Sequence, residues 1–329
     1  MPPIDPIILP GPSPSQPYLT ISALDAGHLT LPEHLFVTSA PAHTRTTVPS
    51  LSFLLRHPTS TLLFDLGLKR NLSSYAAAQQ AHISQRQPVV LSPDAAESLK
   101  AGGVDPAEID AVILSHVHWD HVGTSADFAN ARFVVGSGTG YLLREGGGPL
   151  YSKEIFNADE LPADRTFELP PIPGAAEEVV ARAVPRERQT EHRWQKLGPF
   201  ENVVDFFGDG SLFVVDAPGH LPGHVNLLAR TGARKWVYLG GDCCHDPRIL
   251  TGEKGIAMYD DGKGGLRSVH ADTETARGTI KRIGKLLREG DVVQEVPGGG
   301  TEKVEVEVVV AHDKGWREAN KERFLPGTL

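Results

Sequence analysis

Only two cysteines occur in 329 residues, and they are neighbours, Cys243 and Cys244. Adjacent thiols cannot staple distant parts of a chain, so a disulfide framework is excluded and a reducing compartment is expected. Long apolar runs are missing too: none approaches the ~20 residues that a membrane span needs. The first ten residues are broken by prolines and carry no basic segment, unlike a secretory leader, so a soluble, cytoplasmic protein is the expectation. Positive charge is in deficit, with 32 Lys and Arg against 41 Asp and Glu and a formal net charge of -9. Nucleic-acid binding rests on neutralising phosphates, so DNA and RNA are not expected partners. The locally basic stretch from Arg182 to Lys196 reads as a solvated surface. A Gly-x-Ser-x-Gly elbow is also absent, which removes one route to a serine nucleophile.

What the chain does have is concentrated. Ser115-His116-Val117-His118-Trp119-Asp120-His121 places three of its 14 histidines and a carboxylate within six consecutive residues, directly after the apolar run Ala111 to Leu114. Imidazoles and carboxylates are the nitrogen and oxygen ligands of zinc and its first-row neighbours. His116 and His118 are two apart, so an extended segment points them the same way. Asp120 and His121 follow as the chain turns and would face a second, adjacent position. One ion cannot easily use all four, which predicts half of a two-metal site.

Composition allows a large core, with 40% hydrophobic and 22% charged residues. Residues 1–17 are dense in proline and read as an extended arm lying over the surface or onto a second copy of the chain, which leaves a homodimer open. The rest, 18–329, reads as one domain. Strand-like segments begin at Tyr18, Ser50 and Ser60, the last ending in the turn signal Asp65-Leu66-Gly67. A helix capped by Ser92 or Asp94 is predicted over 93–101, and another strand over Arg132 to Val135. The segment from Gly136 to Gly208 is too long for a connection and is expected to be an insertion with short helices that covers a site.

The later strands repeat one pattern. Ser211 to Asp216 is followed by Ala217-Pro218-Gly219-His220, Lys235 to Leu239 by Gly240-Gly241-Asp242, and Val304 to Val310 by Ala311-His312-Asp313. With Ala111 to Leu114, four strands each deliver a ligand-type residue just past their C-terminal ends, where layered α/β proteins place their chemistry.

These residues resemble the metallo-β-lactamase superfamily of hydrolases. His116-x-His118-x-Asp120-His121 is its core motif. Ala217-Pro218-Gly219-His220-Leu221-Pro222-Gly223-His224, followed by Val225-Asn226-Leu227-Leu228, is most similar to the quorum-quenching lactonase branch. The resemblance implies an α/β (α+β) fold, an αββα sandwich of two mixed β-sheets flanked by helices, with a dinuclear site at one edge. It implies His116, His118 and His220 as ligands of a first metal, Asp120, His121 and His312 of a second, and Asp242 as the carboxylate bridging both. Two divalent ions are thus the expected cofactors, zinc foremost, although manganese, cobalt and iron accept the same ligands.

His224 competes with His220 for one role and is expected to support rather than ligate. Asp65 is expected to hold the ligand loops by hydrogen bonds, and the two cysteines to act as small buried hydrophobes. His28, His34, His43 and His270 are individually uninformative. Asp120 is the candidate to orient the nucleophile. His245 stands where such lactonases often carry a tyrosine, three residues after the bridging aspartate, and is a second catalytic candidate as a hydrogen-bond donor or acid. Tyr141, Leu142, Leu143, Phe156, Trp194, Phe200, Met258 and Tyr259 would suit an apolar substrate, although core packing is the commoner fate of such residues. The reading is a hydrolase that opens a small lactone. The alternative is a lactamase acting on a cyclic amide or carbamate such as a benzoxazolinone, as fungal members resembling this chain do. A glyoxalase-II type of thioesterase has no glutathione-site signal to support it, and a non-catalytic metal-binding scaffold is the remaining class.

Overall fold

The computed structural model describes residues 6–148, 151–156, 161–175, 177–288 and 292–329. Its strands, in chain order, are β1 (Ile7–Leu9), β2 (Thr20–Pro32), β3 (Arg45–His57), β4 (Ser60–Phe64), β5 (Ala111–Ile113), β6 (Arg132–Val135), β7 (Thr166–Glu168), β8 (Gln195–Leu197), β9 (Phe200–Asp205), β10 (Leu212–Asp216), β11 (Val225–Gly232), β12 (Lys235–Leu239), β13 (Tyr259–Asp260), β14 (Leu266–Arg267), β15 (Val292–Glu295), β16 (Thr301–Lys303) and β17 (Glu305–Val309). Two six-stranded sheets form the body, one ordered β2-β3-β4-β5-β6-β7 and the other β17-β12-β11-β10-β9-β8. Both are mixed: β4 to β7 pair in parallel behind an antiparallel β2-β3-β4 meander, and β17 joins β12 in parallel on an otherwise antiparallel sheet.

The near-continuous apolar runs follow from both faces being covered. Along β10, Leu212 and Val214 point between the sheets, whereas Phe213 and Val215 point to the outer layer. Likewise Leu62 and Phe64 of β4 face the other sheet and Leu63 faces helices. The helix Ala95–Ala101 lays Ala95, Ala96 and Leu99 on the outer face of the first sheet, against a cluster with Leu54, Leu63 and Val112. The helix Thr273–Gly284 buries Ala276, Ile280 and Ile283, spaced to share one face, against a cluster with Phe213, Leu228 and Trp236. The order of layers is helix, sheet, sheet, helix, as expected. Each buried Leu, Val or Phe contributes roughly 1.5–3 kcal/mol.

The helix expected over 93–101 forms with Asp94 as its cap: Asp94 Oδ1 accepts the Glu97 N–H at 2.8 Å, and Glu97 accepts the Asp94 N–H in return. Two other expectations need amending. The proline-rich arm is partly built in, because β1 pairs in parallel with β15 and buries Ile7 and Leu9 while Ile8 stays outside. Three apolar residues between prolines suffice to make an alternating strand, and the prolines bound it instead of excluding it. The Gly136 to Gly208 segment is not only an insertion: β7 extends the first sheet, and β8 and β9 complete the second. Within it, Leu169, Val203 and Val204 are core residues.

Buried Arg230 of β11 clamps the arm. Its Nη2 donates to the Pro10 carbonyl (2.5 Å), its Nη1 to Gln294 Oε1 (3.0 Å) and its Nε to the Gly210 carbonyl (3.4 Å). The guanidinium carbon lies 4.0 Å from the centre of the Trp236 ring, and burial pushes its pKa down to about 10.

Candidate metal centre

At one edge of the sandwich the segments after β4, β5, β10, β12 and β17 meet, and backbone bonds between them set their spacing. The Leu66 N–H donates to the His121 carbonyl, Val225 N–H to the Ser115 carbonyl, and Ala311 N–H to the Gly241 carbonyl. Gly241 has φ +47°, and a Cβ there would lie 2.8 Å from the Ser115 Cβ. The glycine before Asp242 therefore lets the two ligand-bearing loops touch. Asp65 takes φ +60° without being glycine, a conformation costing roughly 1–3 kcal/mol that surrounding bonds must hold. Those bonds are present: Ser115 N–H donates to Asp65 Oδ1 (2.6 Å), and Ser115 Oγ and His121 Nδ1 meet Oδ2 at 2.7 and 2.8 Å. The supporting role expected of Asp65 is thus seen in its contacts.

Those partners also dictate which ring nitrogens carry protons. The Ser115 hydroxyl hydrogen goes to the Asp65 carboxylate, so His116 Nδ1, 2.9 Å from Ser115 Oγ, must donate. His121 Nδ1 donates to Asp65, and His312 Nδ1 to the Pro49 carbonyl at 2.7 Å. All three rings accordingly turn Nε2 inward.

Inward lies Asp242, whose two oxygens face different neighbours. Oδ2 is 3.7 Å from His116 Nε2 and 3.5 Å from His220 Nε2; His118 Nδ1 lies 2.8 and 3.0 Å from those two nitrogens. Oδ1 is 3.3 Å from His121 Nε2 and 3.1 Å from His312 Nε2, and Asp120 Oδ2 is 3.5 Å from the latter. All seven residues expected as ligands are therefore brought together, in the two groups expected. His118 is partly buried and the other six are buried. The donor set fits cations: His116, His118, His220 and Asp242 offer ligand atoms that lie within 4.8 Å of one another, as do Asp120, His121 and His312. His121 Nε2 and Asp242 Oδ1 are buried with no hydrogen-bond partner among the described residues. A buried carboxylate crowded by imidazole nitrogens at this range is a place for positive charge.

Electrostatics agree. Burial, then the neighbouring imidazoles, hold His116 and His220 well below the ordinary histidine pKa, and burial takes His118 to about 4, so these rings are neutral and ready to ligate. Burial opposes charge on His121, yet Asp242 and Asp65 raise its pKa well above normal. Burial likewise opposes ionising Asp242, yet His312, His121 and His245 hold it well below the usual carboxylate range. The second group is a place where positive charge is favoured.

His224 accepts the Asp242 N–H through Nε2 at 3.1 Å, a supporting contact, while His220 faces the cluster. His245 Nε2 is 3.1 Å from Asp242 Oδ2 and lines the cavity outside. Cys243 and Cys244 are buried free thiols whose pKa values burial raises. His270 was not foreseen: its Nδ1 lies 3.2 Å from His220 Nδ1, so it fixes that ring from behind. Nothing in its sequence neighbourhood announces this.

The cavity over the cluster has a volume of about 270 Å3. Of the side chains expected around a substrate, Tyr259 lines it and Phe156 stacks behind His118, 6.2 Å between ring centres. Leu142 and Phe200 are core, Trp194 donates to the Pro170 carbonyl, and Met258 is exposed. The walls instead carry Leu29, Leu31, Phe36, Trp119, Tyr151 and Ile155. Among the described residues no helix is long and apolar enough to cross a membrane.

Comparison with known proteins places these observations. Residues 45–240 match the family model described as the metallo-beta-lactamase superfamily. The metallo-hydrolase mfmC of Annulohypoxylon moriforme is 34% identical over 209 residues, 61% of this chain and 50% of that protein. The gamma-lactamase FDB1 of Fusarium pseudograminearum is 28% identical over 60% of this chain and 45% of its own. The chain spans about a quarter to a half of the length of several curated relatives it matches. The solved structure of an N-acyl homoserine lactone hydrolase, with the product N-hexanoyl-L-homoserine at its catalytic metal centre, superposes with a TM-score of 0.60 at 17% identity, covering 94% of this chain and 98% of that one.

Proposed function

The chain belongs to the metallo-beta-lactamase superfamily, and on that premise we propose that it is a metal-dependent hydrolase that opens a cyclic ester of a small, largely apolar substrate. The observation that carries this reading is the divided carboxylate of Asp242, with one oxygen toward His116 and His220, whose nitrogens meet His118, and the other toward His121 and His312. Two divalent cations held there, zinc by preference, would polarise a carbonyl and make a water acidic enough to attack it near neutral pH.

The chain's own residues do the rest. Asp120, whose Oδ2 faces His312 and which lines the cavity, orients the attacking water and takes its proton. The apolar walls exclude bulk water and hold the substrate's hydrocarbon part. His245, buried beside Asp242 and open to the cavity, donates a proton to the leaving atom. The same donor favours a second reading, because a nitrogen leaving group needs protonation more than an alkoxide does; the gamma-lactamase relative supports opening of a cyclic amide or carbamate.

The test is a hydrolysis screen of matched lactones and lactams, read by chromatography of the ring-opened product, with and without chelator, on protein whose metal content is measured. Chelator-sensitive ring opening with about two ions per chain is expected. Fewer than one ion per chain, or turnover indifferent to chelation, would overturn the reading.

A further inference from the structure

Two arginines in the cavity have no stated task. Arg86, which follows the helix Ala77–Ile83, is only 8% exposed, and Arg267 comes from the β13-β14 hairpin. Among the described residues neither makes a hydrogen bond or an ion pair. Arg86 stands 5.9 Å from the centre of the Phe36 ring and Arg267 5.5 Å from that of Tyr259, while the Arg267 Nε is buried without a partner. A guanidinium keeps its charge under all ordinary conditions, and a buried one without an acceptor is costly. The cavity's carboxylates, Asp120 and Asp242, are committed to the cluster of histidines. His82, on the same wall, has its pKa lowered to about 4 by burial, then by Arg86, and also by Arg267, so it adds no competing acceptor charge and no further cation.

Elsewhere the same fold shows what a structural buried arginine looks like. Arg230 places each of its nitrogens on a protein oxygen. Arg86 and Arg267 line the cavity, and among the described residues no protein oxygen bonds to either guanidinium. We infer that Arg86 and Arg267 form a receptor for a carboxylate carried by the substrate itself, so that this enzyme acts on acidic rather than neutral ring compounds. A carboxylate matches the planar fork of a guanidinium, and the apolar side chains of the same cavity, Leu29, Leu31 and Ile155 among them, accommodate the carbon chain linking acid to ring. The inference rests on the hydrolase reading of the same site.

The experiment compares the zinc-loaded protein on a γ-butyrolactone bearing a carboxypropyl chain and on the methyl ester of that acid. Calorimetry alongside measures binding of the corresponding carboxypropyl tetrahydrofuran, which has no bond to hydrolyse. The wild type is expected to favour the acid at least tenfold in kcat/KM. Arg86→Gln with Arg267→Gln should reduce that preference at least tenfold and weaken tetrahydrofuran-acid binding by a similar factor, with Arg86→Lys recovering part of the binding. A preference unchanged by the double substitution, as for arginines that only support the fold or hold the ring-opened product, would overturn the inference, as would a wild type that favours the methyl ester. Should neither lactone be hydrolysed, the lactone-opening reading fails for this ring, while the charge dependence of tetrahydrofuran-acid binding still decides the receptor.

Discussion

The molecule holds two buried polar clusters that look alike in composition and opposite in bonding. Around Arg230, donors meet the Pro10 and Gly210 carbonyls and Gln294 Oε1, and the chain completes the cluster by itself. Around Asp242, imidazole nitrogens crowd one another and a carboxylate, and His121 Nε2 and Asp242 Oδ1 have no hydrogen-bond partner among the described residues. Satisfied polarity holds the arm in place; unsatisfied polarity, assembled at such expense of burial, marks where something from outside must bind. The contrast locates the working end of the protein without reference to any relative.

Substitutions should therefore separate the two clusters cleanly. Asp242→Ala is expected to lower kcat/KM by at least about 1,000-fold, on the order of 4 kcal/mol of barrier. A variant retaining a tenth of the activity would dissolve the contrast. Arg230→Met should do the reverse, removing roughly 3–5 kcal/mol of stability in urea unfolding by stranding buried acceptors, with kcat/KM of the folded fraction within about threefold of normal. Stability within error of wild type would show that the arm is not clamped there.

Asp65→Asn sharpens the comparison from inside the cluster. An amide nitrogen would face Ser115 or His121, both of which already donate, so zinc affinity measured by competitive chelation should fall about 10–100-fold. An unchanged affinity would make Asp65 a bystander. The smallest effect concerns Asp216 at the end of β10, where burial raises the carboxyl pKa to about 6 from an ordinary 3.8. An acid whose folded pKa is raised binds more protons folded than unfolded, so the stability it contributes is full below about pH 4 and is lost as pH rises to about 6. Asp216→Asn should thus unfold later than wild type by roughly 1–3 kcal/mol at pH 7 and equally at pH 4; equal stability at both would count against a carboxyl whose pKa is raised.

The cluster was legible in the sequence where its geometry is local. His116, His118, Asp120 and His121 share one turn of chain, and His220, Asp242 and His312 each follow a recognisable apolar strand, so spacing and pattern were enough. His82, Arg86 and Arg267 reach the cavity, and His270 the back of His220, from helices, a hairpin and loops that no strand-end rule covers. His270 meets His220, and Arg86 the Phe36 ring, across long stretches of chain, and only folding reveals such contacts. The same holds for β1: Ile7, Ile8 and Leu9 are too few to announce a strand until β15 is seen to offer an edge. Residues that line the cavity were harder still, since an aromatic side chain reads alike in a core and in a pocket.

Asp65 carries one further consequence. Its carboxylate secures His116 by way of the Ser115 hydroxyl and secures His121 directly, and those rings belong to opposite halves of the cluster. The halves share this fastening, itself held in an unfavourable backbone conformation. Neither can be slackened alone, and the centre is kept, or lost, as one unit.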